Sequence, residues 1–419
     1  MLIGRLESSA TAAEPGTVHR RGATAIVAAV VVSFAAYFVL SRYLRVAPDT
    51  VVTLRNNVLF ETDSGVRLRY LTDPGTWAAS RLEFLQHPAF FLVWRPVGLA
   101  LTFVLRPLAG ATAGAVLAAQ ILVCSMAAAG AGALFMIARR AKTPRSAAIV
   151  PIVLMILSTA TVLVVVPEHW AMAQGMMLSA CCLVTLPGKP GRARIAVLGL
   201  LCVLIAGTTI TNAVFGLLLL FPLASSAGIR VRIGRLVPWL AAAGVAALLL
   251  AGWGLSRLPH VAGFLNLRLY ESPLLAISYM AFGLIGPIVG PVPHQGLQRQ
   301  HLTLSYEPFS FAMYSPMQWI GVIAWTVLLL TCAVHAFRDR DTLPVAAFLA
   351  AWIGFNLLFH NLWGDEYFLY SAHWAWALIA LATLGMRHLR SRLVVPLTLA
   401  VVAGQITTLL TIGGMLRGP

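Results

Sequence analysis

Along this chain apolar residues do not alternate with polar ones; they gather into runs of about 20 residues, separated by short tracts of Arg, Pro, Gly and Asp. A run of that length, coiled as an α-helix, spans a hydrocarbon core of roughly 30 Å. One such run would equally suit a helix buried in a large soluble protein. Their repetition excludes that reading. The pattern predicts crossings at residues 23–44, 111–137, 147–166, 170–186, 195–211, 213–224, 236–255, 317–336, 342–362, 367–386 and 393–415. The predicted fold is all-α, a polytopic transmembrane helical bundle of about eleven spans.

Two parts of the pattern are irregular. The run at 213–224 is only about a dozen residues, short of a full span, and Thr208, Thr209, Thr211 and Asn212 separate it from the run before. Helix-interrupting backbone at membrane depth is tolerated where it lines a cavity. The segment 87–104 is apolar, yet it carries Pro88, Pro96 and, near its middle, Arg95, a charge that is costly in lipid. Loop charge decides its placement. If the segment is interfacial or re-entrant, the basic tracts at 139–145, 189–194, 230–235, 338–340 and 387–392 all face the cytoplasm, as the positive-inside rule requires. If it crosses, the first of these tracts is placed outside.

The expected organisation follows from the first arrangement. A cytoplasmic tail occupies 1–22, and a transmembrane module occupies 23–256 with a first outer loop at 45–110. A second outer loop occupies 257–316 and C-terminal transmembrane helices 317–419. The first run follows Arg5, Arg20 and Arg21, is longer than the apolar core of a signal peptide and lacks a small-residue cleavage site after it. It is read as a retained helix with its amino end in the cytoplasm, anchoring a multi-pass protein of the cell inner membrane.

Composition agrees with this class: 59% of residues are hydrophobic, 11% are charged and the mean hydropathy is +0.84. A soluble domain needs far more charge to coat its surface. The net charge of +16 resembles that of a nucleic-acid binder, but most of the surplus sits in the short tracts between apolar runs. No basic stripe interleaves with aromatic residues, so no nucleic-acid partner is expected. The five cysteines fall inside apolar runs without a disulfide or metal spacing, which is the pattern of core residues.

Acidic residues are sorted in a way that the positive-inside bias does not explain. Of fourteen Asp and Glu residues, ten fall in the outer segments, so chemistry is sought there. Glu61 and Asp63 are two apart, and in an extended segment they share one face. Such a pair suits a general base or a divalent-cation site, while a solvated loop explains them as well. Next comes Gln86-His87-Pro88, followed by Arg95, whose planar fork fits a phosphate; snorkelling to lipid headgroups explains Arg95 equally. Pro167-Glu168-His169-Trp170 opens a helix, where a carboxylate also relieves unpaired amides. Glu366, Tyr370 and His373 are spaced to share a helix face, and an intramembrane His is a functional hypothesis. The second outer loop holds His294, Arg299, His301, Tyr306 and Glu307 between Pro/Gly-rich stretches, a composition that suits a mobile lid or substrate-facing loop. Glu83, outside these motifs, is read as an ordinary loop acid.

The order of these features resembles the GT-C superfamily of membrane glycosyltransferases, which includes protein O-mannosyltransferases and lipid A aminoarabinose transferases. Glu61-Thr62-Asp63 resembles the acidic motif of that family's first outer loop, His87-Pro88 its His-Pro-Pro segment, and Val166-Pro167-Glu168 its second polar outer turn. The resemblance covers mainly the first 225 residues, has a single proline after His87, and lacks a large soluble domain after the last helix. It implies sugar transfer from a polyprenyl-phosphate donor at the outer face. It further implies Asp63 as catalytic base, Glu61 as its assistant or as ligand to a divalent cation, and Arg95 with Arg299 on the donor phosphate. His87, Glu168, His169, Glu366 and His373 would line the cavity. A transporter or flippase of lipid-linked sugars is the rival class, and a non-catalytic membrane protein the third.

Overall fold

The computed structural model describes residues 15–44, 64–77, 81–141, 143, 147–188, 190–225, 288–294, 301–306, 311–362 and 371–417. The expected span at 236–255 lies outside them, as do Glu61, Asp63, Arg299, Glu307, Glu366 and Tyr370. Among the described residues the chain is helical apart from one two-stranded hairpin.

In the first half, α1 (Pro15–Tyr43) and the short α2 (Ser64–Thr72) and α3 (Arg81–Gln86) lead into a π-helical turn, Phe90–Trp94, and α4 (Arg95–Ala109). Then α5 (Ala111–Arg140) runs through the centre of this half, packed against α1, α4 and α8 (Trp170–Val184). Between α5 and α8 lie α6 (Val150–Leu157) and α7 (Thr161–Val164), and after α8 comes α9 (Arg192–Thr208). The chain continues through α10 (Ala213–Leu218) and α11 (Leu220–Ser225). Strands β1 (Ile288–His294) and β2 (His301–Tyr306) pair antiparallel, with a register shift between Val289 and Val292 and with His294 opposite His301. The second half is α12 (Pro316–Arg338), α13 (Leu343–Leu362), α14 (Ser371–Met386) and α15 (Ser391–Arg417). The halves meet where α14 packs on α8 and α5, and where Gln405 of α15 donates to the Leu154 carbonyl of α6 at 3.0 Å.

Among the described residues, six helical stretches are long and apolar enough to cross a membrane: Ala23–Tyr43, Phe90–Ala109, Ala111–Arg140, Pro316–Arg338, Leu343–His360 and Ser391–Met415. Trp170–Val184 and Ser371–Met386 are shorter apolar helices. The lipid-facing stripes are visible in what stays exposed. Ile320, Ile323, Val327, Leu330 and Val334 recur at helical spacing on α12, and Val395, Leu399, Ile406 and Leu410 do so on α15. A soluble protein rarely exposes apolar patches of that extent.

Small residues set the closest approaches, as expected where helices pack without a hydrophobic driving force. A side chain at Gly175 would strike the Met126 carbonyl of α5, and one at Gly385 the Cys332 carbonyl of α12. The start of α12 is fixed by a capping box: Ser315 accepts from the Gln318 amide, and the Gln318 side chain returns to the Ser315 amide. All five cysteines are free and buried, as expected of core residues.

Two expectations change. The run 147–166 does not form one helix: Ser158 and Thr161 hydroxyls both donate to the Met155 carbonyl, and the helix breaks at 158–160. The break read between 195–211 and 213–224 is present where the polar residues stand, with Thr209 extended and a 3-10 turn at Ile210–Asn212. The segment around Arg95 builds Phe90–Ala109, long and apolar enough by length and composition to cross, and Arg95 within it is buried. Its Nη2 donates to the Pro74 and Thr76 carbonyls, each at 3.0 Å, and its guanidinium lies over Trp77 at 4.6 Å. The objection to burying Arg95 is answered inside the protein.

Candidate functional site

Three separate stretches of chain meet at the N-terminal end of α8. The helix α8 is preceded by an irregular turn, and Glu168 in it is only 2% exposed. A carboxylate held that deep must be paired or neutralised. It is paired: Glu168 Oε2 accepts from His169 Nδ1 at 3.0 Å and lies 3.5 Å from Arg67 Nε. Arg67 projects from α2 and also donates through Nη1 to Glu83 of α3, whose second oxygen accepts from the Tyr70 hydroxyl at 2.7 Å. The guanidinium is flanked by the Tyr70 and Phe90 rings at 5.9 and 5.8 Å. One cation thus bridges two carboxylates under an aromatic cover, which strengthens each contact by excluding water.

Imidazoles form the other side of the cluster. The His87 and His169 rings are 4.3 Å apart, and His169 lies 6.2 Å from His373 near the start of α14. His87 Nδ1 meets the Thr208 carbonyl at 2.7 Å. A carbonyl only accepts, so His87 carries its proton on Nδ1 and turns Nε2 outward as an acceptor. The same bond ties the His87-Pro88 turn to the broken end of α9, where the helix leaves carbonyls without intrahelical partners. Glu168 likewise draws the His169 proton to Nδ1 and leaves its Nε2 free to accept.

Both rings outside the helices are held neutral. Burial pushes His87 down to about 3, with the Arg67 charge adding to the effect and the Thr208 carbonyl opposing it. Burial likewise holds His169 well below the usual histidine range, helped by His87 and Arg67. The cluster therefore sets two neutral imidazoles beside the Glu168 carboxyl and the Arg67 guanidinium. Among the described residues, no three His, Cys, Asp or Glu side chains are grouped to hold a metal ion.

Of the residues singled out in the sequence, His87, Glu168, His169 and His373 come together here. Arg95 does not join them. It serves as a strut, holding the 73–76 turn against α4 with help from Arg106, which donates to the Thr72 carbonyl at 3.2 Å. Asp73 organises that turn by accepting from the Gly75 amide and the Thr76 hydroxyl, which hold its carboxyl below the usual range. Glu83 is no ordinary loop acid, since it carries one arm of the Arg67 bridge. Arg67, Tyr70 and Glu83 were missed as site residues. Their one legible signal was three polar, pairable groups in two short segments flanking a turn. Glu61, Asp63, Arg299 and Glu366 lie outside the described residues; Asp63 is the residue that precedes α2 in sequence.

Comparison with protein families, with curated proteins and with solved structures finds no match for this chain.

Proposed function

We propose that the chain is a membrane glycosyltransferase that takes a sugar from a polyprenyl-phosphate donor and passes it to an acceptor at the extracytoplasmic face. The observation that carries this reading is the convergence of the outer turn at Glu168-His169, the His87-Pro88 turn and α2 on one buried cluster of carboxylates and neutral imidazoles. The resemblance places cavity residues in the first two of these stretches, and its catalytic acids, Glu61 and Asp63, just before α2 in sequence. Asp63 is assigned as the base on the acceptor hydroxyl, with Glu61 assisting or holding a divalent cation. Glu168 and His169 are assigned to the cavity wall, and Arg299 is the remaining cation assigned to the donor phosphate.

The sidedness rests on charge and on α4. Both Arg95 and Arg106 are tied to carbonyls within residues 72–76, so the two ends of α4 stay with one short outer turn. That supports an interfacial or re-entrant α4, which leaves Arg139 and Arg140 in the cytoplasm.

The reading is tested with membranes from cells lacking the gene, supplied with the cloned chain and a radiolabelled polyprenyl-phosphate sugar. The expected result is label transferred covalently to an acceptor. Label that crosses the bilayer still attached to its lipid would replace the transferase with a flippase.

A further inference from the structure

At the far end of α8 from the cluster, five helix ends line a cavity of about 200 Å³. Arg140 from the end of α5, Thr185 from the end of α8, Arg387 from the end of α14, and Asp341 and Thr342 before α13 supply its polar lining. The charges are matched in a particular way. Arg387 is already neutralised by Asp339, which also takes a contact from His388 at 3.2 Å and the Asp341 amide at 3.0 Å. Among the described residues Arg140 meets only neutral partners: the Cys182 carbonyl and sulfur, and the Thr185 hydroxyl, all through Nη1. Asp341 is 73% exposed and has only a 4.0 Å contact with Arg387. One uncompensated cation and one weakly compensated carboxylate therefore face a shared space from different helix ends.

We infer that this cavity binds the headgroup of an amino-phospholipid of the phosphoethanolamine type, with the phosphate on Arg140 and the primary ammonium on Asp341. A separated pair of opposite charges complements a zwitterion better than a simple anion, which Asp341 repels. The volume is below the roughly 300–1,000 Å³ of drug-sized ligand pockets, so a small head fits and a nucleotide does not. An ammonium offers N–H donors to the carboxylate, whereas a quaternary choline offers none. The position favours a lipid over a soluble zwitterion. The cavity lies at the ends of membrane-length helices, and exposed apolar Val334, Phe337 and Leu343 flank the Asp341 connection.

The test is native mass spectrometry of the full chain from nanodiscs containing equal fractions of phosphatidylethanolamine, phosphatidylcholine and phosphatidylglycerol. Wild type is expected to retain phosphatidylethanolamine about tenfold over phosphatidylcholine, the worth of one charge-assisted hydrogen bond. Asp341→Lys is the informative variant, because an exposed side chain changes without disturbing the fold. It should abolish that preference and move retention toward phosphatidylglycerol. Equal retention of all three lipids by wild type, or an unchanged preference in Asp341→Lys, overturns the inference. Displacement of the lipid by millimolar free phosphoethanolamine also overturns it, by assigning the cavity to a soluble zwitterion.

Discussion

The two ends of α8 treat charge in opposite ways. At its N-terminal end Glu168 is 2% exposed, and Arg67 answers both Glu168 and Glu83. At its C-terminal end Asp341 is 73% exposed, and Arg140 leans on neutral backbone and side-chain oxygens. The ends stand about 22 Å apart along fifteen residues. Fifteen residues fall short of a hydrocarbon core of roughly 30 Å, so with the Arg end at one surface the Glu168 end is recessed below the other. A recessed charge survives only inside a network, while a surface charge needs none. That difference separates an end built to hold ionised and neutral groups side by side from an end built to meet headgroups and solvent.

The comparison breaks most sharply at Arg67. Replacing it by Met removes the cation shared by buried Glu168 and part-buried Glu83, and breaking a buried pair costs about 3–5 kcal/mol. Thermal unfolding in detergent should show this loss, and neutralising both acids in the same chain (Arg67→Met with Glu83→Gln and Glu168→Gln) should recover much of it. A single mutant as stable as wild type would mean that the cluster is not a closed network. Glu83→Gln is next: it removes one charged arm and weakens the Tyr70 bond, a loss of about 1.5–3 kcal/mol. A melting temperature within error of wild type would return Glu83 to the status of a loop acid.

Acid should act on the recessed end through its histidines. The folded values of His87 and His169 lie below the unfolded value near 6.5, so as pH falls the unfolded chain takes up protons first. Their contribution is complete above about pH 6.5 and is lost as pH falls toward the His87 value of about 3. The slope is at most about 1.4 kcal/mol per pH unit for each ring. Melting temperatures recorded from pH 7 to pH 5 should fall, and less steeply in His87→Gln. Parallel slopes would show that His87 is not held neutral. The smallest effect is expected at Arg69, exposed on the same helix as Arg67: Arg69→Gln should change stability by no more than about 0.5 kcal/mol. A loss as large as that of Arg67→Met would assign the effect to α2 as a whole.

The same contrast explains what the sequence revealed. Local features were legible. The polar group Thr208–Asn212 marked a real helix break, and His87, Glu168, His169 and His373 stood out as polar residues beside apolar runs. Partnerships were not. Arg67 meets Glu83 across sixteen residues and Glu168 across about a hundred, and nothing in spacing reports a contact that only the fold creates. Arg95 looked prohibitive in lipid for the same reason, because its partners in the 74–76 turn are backbone carbonyls without a side-chain signature. The break at 158–160 had a signal, the Ser158-Thr159-Ala160-Thr161 group, but its hydroxyls compete with the helix only if they turn back to the Met155 carbonyl.

The central claim, that chemistry belongs to the recessed acidic end, is tested most directly by sugar transfer in membranes carrying Asp63→Asn. This change keeps size and hydrogen bonding and removes the carboxylate proposed as the base. The account predicts normal insertion and amount, with transfer slowed by about 10²–10⁴-fold. Transfer at the wild-type rate by Asp63→Asn would contradict the catalytic assignment.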